Sequence, residues 1–161
     1  MHIAGWQKVS LVDYPGKVAC TLFTGGCNLR CPYCHNSELL EGEMPSQDME
    51  EVMAYLDARK GILDGVVISG GEPCLQSDLV PFLARLKEKG LLVKLDTNGC
   101  FPARLEKILD AHLVDYVAMD WKNDPEHYAL PQGWGNPPAA GHPGAWKRSF
   151  QGQFLELRTT V

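Results

Sequence analysis

Gly65-Val66-Val67-Ile68-Ser69-Gly70-Gly71-Glu72-Pro73 decides how the rest of the chain is read. Its first half is a short unbroken apolar run, the form of a strand buried on both faces. Its second half changes at once to two glycines, a carboxylate and a proline, a backbone that must turn. A strand covered on both sides needs helices to cover it, so a helix is expected on each flank.

Both flanks supply one. Downstream, Asp78 can cap a helix in which Leu79, Leu83 and Leu86 share a face, closed by Lys87, Lys89 and Gly90. Leu91 to Asp96 (LLVKLD) reads as the next strand and ends in Thr97-Asn98-Gly99. Pro102 opens a further helix with Leu105, Ile108 and Leu109 on one side. Asp115 to Asp120 (DYVAMD) is another strand, followed by Trp121-Lys122-Asn123-Asp124. Upstream, Val18 to Thr24 (VACTLFT) has the β-branched and aromatic bias of a strand. Pro45-Ser46 precedes a helix whose Met49, Val52, Met53 and Leu56 recur at helical spacing, with Gly61 near its end. Residues 1–17 hold one short apolar stretch and the turn signal Asp13-Tyr14-Pro15-Gly16.

Alternating strand and helix means a parallel sheet with right-handed crossovers. A partial or full (β/α) barrel is the leading architecture for this single domain, and an open doubly wound sheet is the second. The polar and glycine-rich clusters (the cysteine loop, Gly70–Pro73, Asp96–Gly99, Asp120–Lys122) all fall at the C-terminal ends of these strands. Such ends share one edge in parallel α/β folds, and sites form there.

The first of those clusters is Cys27-Asn28-Leu29-Arg30-Cys31-Pro32-Tyr33-Cys34-His35-Asn36. A tight loop brings three closely spaced thiolates to one side. A closed zinc site would recruit a fourth Cys or His, yet Cys34 and the adjacent His35 are poorly placed to reach one ion. Buried thiols packing as small hydrophobes are the plainer alternative. Three sulfurs also suit an iron–sulfur cluster with one iron left open, since such clusters usually take four Cys. Spacing favours metal over packing, and iron–sulfur over zinc. Cys20 reads as core, Cys74 as packing and Cys100 as incidental; His112, His127 and His142 read as surface or loop residues.

Composition excludes several classes. The 161 residues are 45% hydrophobic and 22% charged, ordinary values for one globular domain. A net charge of −5 gives no basic surface for nucleic acid. No apolar stretch approaches the ~20 residues of a membrane span, and Met1 to Lys8 lacks the form of a signal peptide. The cysteine triplet argues for a reducing compartment, so the expected location is cytoplasmic.

C-x3-C-x2-C with an aromatic before the last Cys resembles the signature of the radical S-adenosylmethionine (SAM) superfamily. Ser10-Leu11-Val12-Asp13-Tyr14-Pro15-Gly16-Lys17, with Tyr33-Cys34-His35-Asn36, is similar to glycyl-radical-enzyme activases, those of anaerobic ribonucleoside-triphosphate reductase in particular. The resemblance runs from about Lys8 to Tyr128 and resumes over Leu155 to Val161. It implies a partial (β/α) radical SAM barrel, a [4Fe-4S] cluster on Cys27, Cys31 and Cys34, and SAM on the open iron. It further implies Tyr33 against the adenine, Asn36 near SAM, and Gly70, Gly71 and Glu72 at the SAM amino group. Asp96, Thr97 and Asn98 would contact ribose or amino acid, and Asp120 and Lys122 would face SAM. Implied with it are reductive cleavage of SAM to a 5′-deoxyadenosyl radical, a partner reductase on which a glycyl radical forms, and a flavodoxin or ferredoxin donor. Activation of pyruvate formate-lyase, 7-deazaguanine synthesis, and a non-enzymatic or inactive iron–sulfur or zinc fragment are the alternatives. One segment departs from the pattern. Leu130 to Gly152 holds four Pro and five Gly where the family has a helix, before a last strand at Phe154 to Thr160. A C-terminally truncated or partly corrupted copy is the expectation, with a tolerated disordered insertion as the alternative.

Overall fold

A computed structural model describes residues 1–31, 34–121 and 154–159. The strands are β1 (Ile3–Ser10), β2 (Ala19–Thr24), β3 (Gly65–Gly70), β4 (Leu92–Thr97), β5 (Tyr116–Trp121) and β6 (Phe154–Thr159). The helices are α1 (Met49–Ala58), α2 (Leu79–Glu88) and α3 (Pro102–Asp110), with short 3-10 turns at Ser37–Leu39 and Pro73–Leu75. All six strands form one sheet in sequential order, with β1 antiparallel to β2 and every later pair parallel. A doubly wound sheet would reverse its strand order partway across. Sequential order does not, and it gives the singly wound, partial barrel.

Alternation along each strand divides the sheet into two faces. Cys20 and Leu22, Val66 and Ile68, Val93 and Leu95, Val117 and Met119 join one buried cluster. The same cluster takes Val52 and Leu56 from α1, Leu79, Leu83 and Leu86 from α2, and Leu105, Ile108 and Leu109 from α3. The helices therefore cover this face. The opposite face has a smaller cluster of Tyr14, Ala19 and Val67, packed by Leu92 and Tyr116. Tyr14 comes from the β1–β2 connection, and its ring stands edge-on to Tyr116 at 5.8 Å.

Strand β1 is not anticipated by the sequence. Its residues Gln7 to Val9 are exposed, and its register slips twice, between Ile3 and Gly5 and between Gln7 and Ser10. Bulges of this kind erase the two-residue period that would advertise an edge strand. Asp78 also departs from expectation: it precedes α2 but makes no side-chain capping bond. Its carboxylate instead accepts from the Met1 amino group, which lowers its pKa. A true cap occurs at α1, where Asp48 Oδ1 accepts from the Glu50 N–H at 2.9 Å. Among the described residues no helix is long and apolar enough to cross a membrane. The segment from Leu130 to Gly152 lies outside the described residues.

Candidate functional site

The parallel strands deliver their loops to one edge, and hydrogen bonds tie those loops together. The chain leaving β2 meets the chain leaving β3 directly: Gly71 N–H donates to Thr24 O at 2.8 Å and Glu72 N–H to Gly26 O at 2.9 Å. This approach explains the two glycines. Gly70 has φ +105°, and a Cβ there would meet Thr24 N at 2.4 Å. At Gly71 a Cβ would stand 2.1 Å from Gly26 O. Gln76 adds a bond from its Nε2 to Gly25 O at 2.8 Å. From α3, Arg104 donates to Cys74 O and, at 2.8 Å, to Gln76 O, clamping the turn after Glu72.

Cys27, Cys31 and Cys34 stand partly exposed on the loop after β2, while Cys20, Cys74 and Cys100 are buried. Cys34 N–H donates to Cys31 O at 3.0 Å, which curls the loop, and Leu29 N–H reaches Cys27 Sγ at 3.4 Å. Arg30 fastens the loop further, to Cys27 O at 3.0 Å and to the Glu41 carboxylate at 3.2 Å. Burial raises the Cys27 pKa, opposed by the Leu29 N–H, while charge on Glu72, Cys31 and Cys34 raises it further. A bound cation would reverse that balance, since ligating thiols are held as thiolates. Among the described residues no three His, Cys, Asp or Glu side chains are gathered as a single ion requires. The donor set, three accessible thiols on one tethered loop, fits a cluster in which each thiolate meets its own iron.

Glu72 is fully buried. Its Oε1 accepts from Cys74 N–H and from the Thr97 hydroxyl, each at 2.8 Å, and its Oε2 from Asn98 N–H at 2.7 Å. Burial pushes its pKa up while these donors, with the Cys74 side chain, pull it down, and burial is the larger effect. Thr97 and Asn98 therefore lie beside Gly70–Glu72 and spend hydrogen bonds on Glu72. Asp96 pairs with Lys94, which is 1% exposed and also lies over the Tyr116 ring at 5.9 Å. Tyr116 in turn donates to Glu156 Oε2 at 2.7 Å. Asn36 lies in the turn after Cys34, and its carbonyl accepts from Leu39 N–H at 3.0 Å. Asp120 is on β5, next to last, opposite Arg158 in register. Tyr33 and Lys122 lie outside the described residues.

Sequence reasoning passed over Asn28, Lys94, Gln76 and Arg104. Lys94 carried a visible signal: a lysine inside an apolar run, two residues before Asp96 and so on the same face. The others carried none, because their partners lie across loops remote in sequence.

Known proteins match this arrangement. Residues 21–133 match the family model described as Radical SAM superfamily. A Methanocaldococcus jannaschii protein, provisionally named a glycyl-radical enzyme activating enzyme, is 43% identical over 121 residues, covering 74% of this chain and 50% of the relative. A Staphylococcus aureus pyruvate formate-lyase-activating enzyme is 41% identical over 142 residues, covering 76% of this chain and 53% of the relative. The chain thus spans about half the length of these relatives. The crystal structure of QueE from Escherichia coli aligns with a TM-score of 0.61 at 16% identity, covering 99% of this chain and 84% of that one. At that identity the likeness concerns the fold.

Proposed function

The chain belongs to the radical SAM superfamily, and from that premise we propose that it forms the core of a glycyl-radical-enzyme activating enzyme. One observation carries the reading. The three-cysteine loop and the Gly70-Gly71-Glu72 loop form a single hydrogen-bonded unit at the C-terminal edge, joined at Gly26. A cluster and a ligand of its open iron must lie in contact, and this junction brings their two loops together.

Cys27, Cys31 and Cys34 hold the [4Fe-4S] cluster. A cluster held there, once reduced by the electron donor, would supply one electron to the sulfonium of bound SAM, whose C–S cleavage gives methionine and a 5′-deoxyadenosyl radical. The residues of the chain bind and orient. Gly70 and Gly71 would let backbone carbonyls approach the SAM amino group, and Asp96, Thr97 and Asn98 would contact its ribose or amino acid. Tyr33 would lie against the adenine, and Asn36, Asp120 and Lys122 would face SAM, as in the family the chain resembles. The N-terminal end of the opposite sheet face is plugged by Tyr14 against Ala19 and Val67. Substrate therefore enters from the C-terminal edge, where the cysteine loop and the Gly70–Glu72 loop meet. The substrate is a backbone glycine of a partner enzyme, the anaerobic ribonucleoside-triphosphate reductase, with flavodoxin or ferredoxin as electron donor in the cytoplasm.

Activation of pyruvate formate-lyase is the second reading, favoured by the 41% identity to an enzyme of that name. Anaerobic protein given dithionite and SAM should release 5′-deoxyadenosine. Incubation with each candidate partner, followed by electron paramagnetic resonance, should give a glycyl radical on the reductase. A signal on the lyase alone transfers the assignment to the second reading. Colourless protein carrying zinc or no metal overturns both.

A further inference from the structure

One carboxylate, Glu72, joins the loop after β3 to the end of β4, and Asn98 joins that end to the cysteine loop. All three bonds to Glu72 come from the chain itself: Cys74 N–H, the Thr97 hydroxyl and Asn98 N–H, at 2.7 to 2.8 Å. Asn98 then uses both ends of its own amide. Its Oδ1 accepts from Cys100 N–H at 3.0 Å, and its Nδ2 donates to Asn28 Oδ1 at 2.9 Å. Asn28 lies between Cys27 and Cys31. A buried carboxylate engaged by three chain donors has little acceptor capacity left for a ligand. A path of hydrogen bonds does run from it to the cysteines.

We propose that Glu72 and Asn98 are positioning residues for the cysteine loop: Glu72 fixes the end of β4, and the Asn98 amide transmits that position to Asn28. This deepens the function proposed above and rests on it only in naming the cysteines as cluster ligands. The packing agrees. Gly71 abuts Gly26 O so closely that the β3 end and the start of the cysteine loop cannot move independently. The Asn98–Asn28 bond is a second tether, one residue past Cys27. Together the two tethers bracket the first ligand. A buried polar network of this kind works as a unit only when every member is satisfied.

Amide hydrogen exchange on the full chain, before any cluster is loaded, tests this at two probes: the N–H of Cys27, bonded to Leu40 O at 3.2 Å, and that of Leu29. Asn98→Ala and Asn28→Ala should each raise exchange there by about two- to tenfold, the effect of one lost hydrogen bond. The double variant should do no more than either single one. Asn28→Asp keeps an acceptor for the Asn98 amide and should exchange as wild type does. Glu72→Gln places an amide N–H2 against these donors and should loosen residues 97–100 and 27–31 together. Should that variant fail to fold, the asparagine pair still decides. In cluster-loaded protein, iron loss to a chelator should follow the same ranking. Unchanged exchange at Cys27 and Leu29, or additive effects in the double variant, would overturn the proposal. Protein that never takes up iron and sulfide refutes the function but leaves the exchange result to decide this point.

Discussion

The helix-covered face of the sheet and its C-terminal edge are carried by the same strands, yet they are held in opposite ways. On the face, Leu22, Ile68, Leu95 and Val117 meet Leu56, Leu83, Leu86 and Ile108 in one apolar cluster. Such contacts have no direction, and each is small beside the sum. At the edge the parts are few and directional: Glu72 with three donors, Asn98 with Asn28, and Gly71 against Gly26 O. The face can lose a methylene and relax partially. The edge has no such slack, because a missing partner leaves a buried polar group unsatisfied. Stability should therefore reside on the face and cofactor chemistry at the edge, and the two should come apart under mutation.

The sharpest separation comes from Cys31→Ala. It removes one of three thiolates from a partly exposed loop, so iron and sulfide uptake should be abolished while the far-ultraviolet circular dichroism stays that of wild type. Retention of a full iron and sulfide complement would break the ligand assignment. Thiol labelling of the unloaded protein reads the same division without mutation. Burial raises Cys20 to about 12 and Cys100 to about 11. A raised thiol pKa keeps the neutral, unreactive form, so at pH 8 only about one part in a thousand of Cys100 is thiolate, and less of Cys20. Alkylation at pH 8 should reach the loop cysteines first and leave Cys20, Cys74 and Cys100 unmodified until the chain unfolds. Any direct labelling of Cys100 should rise about tenfold per pH unit up to about pH 11. Equal rates for all six would mean that edge and face are not distinct environments.

Leu83→Ala tests the face. Leu83 is 0% exposed, in the middle of α2, and truncating it should cost about 2–5 kcal/mol in urea unfolding. Cluster uptake by the folded fraction should be unaffected. A variant that kept its stability but lost iron would invert the comparison.

This division also governs what could be read in advance. The apolar periods of α1, α2 and α3, and the strands at Val18, Gly65, Leu91, Asp115 and Phe154, follow from burial repeating at fixed intervals, a local property of sequence. The shared edge followed from alternation alone, which put the cysteine loop, Gly70–Glu72 and Asp96–Asn98 side by side. Strand β1 escaped because its bulges break the period. Asp78 looked like a helix cap but is engaged by Met1, a partner no helical rule supplies. The Asn28–Asn98 pair spans 70 residues, and no local pattern announces a bond between two loop amides. Glu72 stood out in the sequence through its motif; its burial and its three donors did not. Glycine had two possible meanings at Gly71, a turn or a close approach, and only the neighbouring chain decides between them.

Gly71 provides the smallest but most discriminating test of the comparison. Its backbone is not in the left-handed region, so substitution there is not a matter of torsion. The obstacle is Gly26 O at 2.1 Å and Gly26 C at 2.7 Å from the added Cβ, both backbone atoms that no rotamer can move. Gly71→Ala must push the start of the cysteine loop away and lengthen the 2.9 Å bond from Glu72 N–H to Gly26 O. Overpacking of this size should cost about 1–3 kcal/mol. Gly90→Ala is the matching control. Gly90 follows α2 with φ +78° and no atom within 4 Å of its Cβ, so the penalty there is torsional alone, about 1–2 kcal/mol. The two variants should thus lose comparable stability by urea unfolding but differ at the site. Gly71→Ala should speed Cys27 alkylation and weaken iron retention, whereas Gly90→Ala should leave both at wild-type values. If Gly90→Ala loosened the cysteine loop equally, any loss of stability would reach the edge, and its rigidity would belong to the fold as a whole rather than to the contact at Gly26.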